Sequence, residues 1–164
     1  MKKETKSKLE SILDYYEKKQ LEADLKQEQI QAARELFLED FKELREKVIH
    51  PGMSEIGNVL EQKGHYYKIE EQEYSIDRKG FTQEAHIEFN VFPAGIDEKF
   101  RFDNHPSVTF IADTNSLLIE VHGSYVMPEI RGERDHLGTY QLSEISSDIV
   151  ENDILDILIK AFNQ

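Results

Sequence analysis

Leu9, Tyr16, Ala23, Ile30, Phe37 and Leu44 recur at intervals of seven along the chain. Apolar companions follow three or four positions later at both ends, at Ile12 and Leu13 and then at Ala33, Phe41 and Val48. In the middle the companions are polar: Lys19, Gln20, Lys26 and Gln27. Between Ser11 and Pro51 there is no Gly, Pro, Ser, Thr or Asn, and the strong helix formers Glu, Lys, Gln, Leu, Ala and Arg dominate. The pattern predicts one helix over residues 4–49, about 65–70 Å long at ~1.5 Å per residue. That is longer than a domain built from the rest of the chain can cover, since its radius of gyration should be about 13 Å. A helix this long must bury its stripe elsewhere, either by pairing with a second copy as a coiled coil or by breaking and folding back. The absence of turn residues favours pairing, and the polar companions near Gln20 and Gln27 make the seam imperfect.

Pro51-Gly52 is expected to break this helix. Ser54 then caps a short helix, Glu55 to Lys63, that buries Ile56, Val59 and Leu60 and stops at Gly64. Strand patterns follow. His65 to Ser75 is rich in Tyr and Ile, with a turn at Lys79-Gly80 beyond it. In Glu84 to Phe92, Ala85, Ile87, Phe89 and Val91 face one way and His86, Glu88 and Asn90 the other. Phe100 and Phe102 alternate with charges and suggest a short strand. Ser107–Ala112 and Leu117–Tyr125 flank the turn Asp113-Thr114-Asn115-Ser116 and read as a hairpin. A polar loop, 128–138, precedes a last strand over Thr139–Ser143. Ser146 or Ser147 caps a final helix whose core stripe is Val150, Ile154, Ile157, Leu158, Ala161 and Phe162.

Alternating strands joined by short turns predict an antiparallel sheet with one solvated face. The fold class is therefore α+β: a long N-terminal helix plus a short helix, an antiparallel sheet of about five strands, and a C-terminal helix packed on one face. Two regions are expected, an extended coiled-coil-like segment over 1–34 and an acidic α+β domain over 35–164.

Charge sharpens this division. The chain of 164 residues carries a net charge of −13. Residues 1–50 hold 11 basic and 12 acidic side chains, so nearly all the excess lies in 51–164. An acidic domain lacks the basic face that nucleic-acid or anionic-membrane binding needs, and neither partner is expected. A basic protein partner is the natural complement. There are no cysteines, which removes disulfides, thiolate catalysis and cysteine-ligated zinc. No apolar run is long enough to span a bilayer, and no apolar segment follows the basic start, so a cytoplasmic protein is expected.

Catalytic signatures are missing: no Gly-x-Gly phosphate loop, no Gly-x-Ser-x-Gly elbow, no His-Glu-x-x-His and no EF-hand pattern. Neither a catalytic residue nor a cofactor is assigned. His86 and His122 lie on outward strand faces beside Glu88 and Glu120, a residue set able to hold a divalent metal if the strands are neighbours. A simple meander would place Thr109 and Ile111 between them, which leaves solvated sheet-face histidines as the plainer reading. The charged loop with Arg131, Glu133, Arg134, Asp135 and His136 is a candidate recognition loop.

The sequence thus supports a non-enzymatic interaction protein, adaptor or chaperone-like. It would self-associate through Leu9, Ile12, Tyr16, Ala23, Ile30 and Phe37 into a homodimer or higher oligomer, and present an acidic domain to a protein partner. The alternative is a small metal-binding or hydrolytic domain that uses the polar sheet face and the 129–136 loop.

Overall fold

The computed structural model describes residues 1–95, 104–127 and 132–163. Helix α1 runs over Lys3–Leu44, as the Gly- and Pro-free composition requires. The chain divides into two compact units, 1–36 and 37–164.

In the first unit every large apolar side chain of the seven-residue repeat is exposed, as are Ile12 and Leu13 beside it. The second unit begins with Phe37 and Phe41, both buried in its own core. This corrects the sequence reading at Phe37: the ring is only 4% exposed and is no part of a free seam.

The helical path does not break at Pro51-Gly52. It passes through a π-helical turn, Arg45–Ile49, into α2, His50–Gln62. The reason is in the hydrogen bonding. His50 N–H donates to the Arg45 carbonyl five residues back, so the chain widens just before Pro51 instead of stopping. Pro51 stands at the start of α2, where a missing N–H does no harm. Ser54 is therefore an interior residue and caps nothing. Gly52 is buried, and a β-carbon there would meet Val150 Cγ1 at 3.1 Å, so the glycine lets α2 approach the last helix closely. The end of α2 was legible: Gly64 has φ of +87°, and His65 N–H reaches back to the Leu60 carbonyl at 3.0 Å, a Schellman ending.

Among the described residues seven strands follow: β1 Tyr66–Gln72, β2 Ser75–Ile76, β3 Thr82–Gln83, β4 His86–Phe92, β5 Ser107–Asp113, β6 Leu118–Ser124 and β7 Arg134–Tyr140. β2 and β3 form a separate two-stranded ribbon around the Asp77–Gly80 turn, which the sequence reading did not separate from its neighbours. The other five make one antiparallel sheet in the order β1-β4-β5-β6-β7. The short strand proposed around Phe100 and Phe102 lies outside the described residues. The chain closes with α3, Ser147–Phe162, capped by the Ser146 side chain, which accepts from Ile149 N–H.

Alternation decides which face is dry. Ile87, Phe89 and Val91, Val108, Phe110 and Ala112, and Ile119 and Val121 point one way and are buried. Phe41, Ile49 and Met53 join them, with Val150, Ile154 and Ile157 from α3. Phe162, expected in that stripe, is half-exposed and rests against the His65 ring at 5.2 Å. Of the tyrosine pair, Tyr66 is exposed and Tyr67 packs inward beneath Gly57 and beside Phe89. Among the described residues no helix is long and apolar enough to cross a membrane.

Candidate functional site

The opposite face of the sheet is polar, and the register arranges it in rows. One row reads Glu70, Glu88, Thr109, His122, His136 across β1, β4, β5, β6 and β7. The next reads Gln72, His86, Ile111, Glu120, Thr139. Thr109 and Ile111 of β5 thus separate His86 and Glu88 from Glu120 and His122, and the four residues named from the sequence do not form one set.

The structure assembles another. β7 occupies 134–140, so Arg134, Asp135 and His136 belong to a strand and not to the loop expected there, and the last strand does not start at Thr139. His136 is then paired directly with His122, with ring centroids 5.1 Å apart. A register shift between Val121 and His122 leaves one extra residue in β7. That bulge turns both His136 and Thr139 to the polar face. Their Nε2 and Oγ1 atoms are 3.1 Å apart, and each bonds the same Glu120 oxygen, at 2.7 Å from His136 and 2.9 Å from Thr139. One donor atom from each of Glu120, His122 and His136 lies within 4.8 Å of the others. The bond from His136, supported by that from Thr139, holds the Glu120 carboxyl below the usual carboxylate range against its partial burial.

The remaining candidates are placed as follows. His86 is half-buried, with Nδ1 3.3 Å from the Glu84 carbonyl. Burial, and Glu70 across the strand pair, push the Glu88 carboxyl above its ordinary range, while His86 and Arg134 pull it back. Glu133 accepts Tyr125 N–H through its carbonyl at 3.2 Å. Asp135 points to the other side of β7 and pairs with Lys160 of α3 at 2.5 Å. Arg131 lies outside the described residues.

His136 reads from the sequence as a loop residue and not as a sheet-face partner of His122, because Gly138 and the flanking charges resemble loop chemistry. A shared-face argument needed the strand assignment first. In the first unit, Leu21 and Leu25 are exposed apolar residues off the seven-residue repeat.

The chain matches no family model, no curated protein and no solved structure.

Proposed function

We propose that this chain is a protein-interaction module that self-associates through residues 9–30, with a second copy as the occupant of the exposed stripe, and presents its acidic domain to a basic protein partner. The observation that carries the reading is the exposure of Leu9, Ile12, Leu13, Tyr16 and Ile30 along one helix, each more than a third accessible. A monomer that leaves these apolar side chains in water forgoes about 25 cal/mol for each Å² it could bury.

Three features favour a second copy over a foreign helix. The spacing is that of a self-pairing coiled coil. Residues 1–36 contain eight basic and eight acidic side chains, so two such helices do not repel, whereas residues 37–164 contain 12 and 25. The charges are also graded: residues 1–19 hold six basic and four acidic groups, and 20–36 hold two and four. Antiparallel pairing sets the basic end of one helix on the acidic end of the other. In a register centred between Lys19 and Gln20, Leu9 meets Ile30 and Tyr16 lies over Ala23, a large residue on a small one.

Light scattering on size-exclusion fractions tests the reading, using the full chain and a chain beginning at Glu35. The expected result is a dimer that becomes a monomer on truncation; a monomeric full chain would overturn it. Because the protein has no cysteine, orientation can be read from introduced ones. Ser7→Cys mixed with Gln31→Cys should cross-link as a heterodimer more readily than either variant with itself. Pull-down at low salt with the full chain addresses the partner, and a failure to retain basic proteins would remove that half of the proposal.

A further inference from the structure

We infer that Glu120, His122 and His136 form a binding site for one divalent transition-metal ion of the zinc type on the polar face of the β6–β7 edge. The inference is independent of self-association. It rests on donor chemistry and placement.

Two imidazoles and one carboxylate are borderline and hard donors in the proportion that zinc sites with an open position use. Calcium and magnesium, which prefer sets made of oxygen, are poorly matched to two nitrogens. The three donor atoms already lie within 4.8 Å of one another, on two strands whose pairing fixes their backbones. Ligands about 2.0–2.2 Å from a tetrahedral ion sit roughly 3.3 Å apart, so side-chain rotations alone suffice to close the set. Glu120 Oε2 and His136 Nε2, now 2.7 Å apart, separate slightly to admit the ion.

A supporting contact is also in place. Thr139 donates to Glu120 Oε2 at 2.9 Å, the kind of outer hydrogen bond that orients a carboxylate ligand. The bulge in β7 is what makes this possible, since regular alternation would turn Thr139 away from the face His136 occupies. His122 and His136 are exposed and Glu120 half-exposed, so an ion can reach the site and water can complete its coordination. Residues 37–164 hold 25 acidic against 12 basic side chains, which raises the local concentration of cations. Arg134, the cation two positions before His136, acts electrostatically on Glu88.

The test is zinc chloride titrated into the metal-stripped full chain, followed by calorimetry and by thermal melting. One ion per chain and a raised melting temperature are expected, with calcium giving neither. His122→Ala and His136→Ala should each weaken binding by more than about 10-fold, and Thr139→Val by a smaller factor. His86→Ala, on the far side of β5, should leave it unchanged. Heteronuclear spectra of the unmodified protein give a check that needs no variant: zinc should shift the ring signals of His122 and His136 and spare His86. Absence of saturable binding would overturn the inference. So would binding that survives the two histidine variants together, or ring shifts confined to other histidines.

Discussion

The Tyr140 hydroxyl of β7 lies 3.2 Å and 3.4 Å from the two carboxylate oxygens of Asp153 on α3. It ties the last helix to the edge strand that carries His136. Asp153 is buried, and burial above all, with nearby Asp156, pushes its pKa above the ordinary 3.8, while the bond from Tyr140 works in the opposite direction. The folded state therefore holds the Asp153 proton to higher pH than the unfolded chain does. Stability attributable to this group falls as pH rises from the unfolded carboxylate's range through the raised folded value, and is level above it. Asp153→Asn should remove that slope, gaining on the parent as pH rises across the window. Urea unfolding at a series of pH values reads the difference; parallel curves would refute it. Tyr140→Phe should lose about 0.5–1.5 kcal/mol and raise the Asp153 pKa further.

Among the described residues Arg45 is the largest fully buried side chain, fixed in the π-helical turn. Its guanidinium bonds the Gln72 carbonyl at 3.2 Å, pairs with Glu73, lies 3.6 Å from Glu71 and rests over the Phe41 ring. The two carboxylates are substantially exposed and can return to water, so the pairs themselves add little. Packing and the bond to the half-buried Gln72 matter more. Arg45→Ala should destabilise by about 2–4 kcal/mol, and Arg45→Met should recover part of that. A Met variant no better than Ala, by chemical denaturation, would show the charge to be the larger contribution.

A β-carbon at Gly123 would stand 2.4 Å from both Cδ1 and Cγ1 of Ile157 and 3.0 Å from Leu137 Cδ1. The glycine sets how closely α3 lies on β6. Gly123→Ala should cost about 1–3 kcal/mol through overpacking, and the cost should shrink in an Ile157→Ala background, where both crowding side-chain atoms are gone. The double-mutant cycle measures this coupling, and additive effects would mean that the strand shifts instead.

Phe37 and Ile30 are separated by one interval of the seven-residue repeat but have different roles. Phe37→Ala should destabilise the domain by about 3–5 kcal/mol without altering the oligomeric state. Tyr16→Glu together with Ile30→Glu should abolish the proposed self-association and leave the domain's urea midpoint, measured as a monomer, near that of the chain beginning at Glu35. Light scattering and denaturation on the same samples separate the two effects.

Much of the fold was legible because its signals are local. The helix formers before Pro51, the alternation in 85–91, the turn at 113–116, the Ser146 cap and the stop at Gly64 each depend on neighbours within a few residues. Where the expected elements failed, a non-local contact or an unusual hydrogen bond had intervened. Pro51 does not end the helical path because the π turn before it makes room, a choice favoured by burying Arg45 and Ile49. Residues 134–136 are strand despite loop-like composition because β6 offers them a partner edge.

The sequence by itself determined the α+β class, the charge partition, the seven-residue repeat and the inward sides of β4, β5 and β6, because periodicity and composition act along the chain. Only the tertiary structure decided which residues share a face across strands. Register joined His122 to His136, a bulge set Thr139 beside Glu120, and β5 kept His86 and Glu88 away from them. Burial likewise divided the repeat between Ile30 and Phe37, because core membership depends on what else the chain brings to a position.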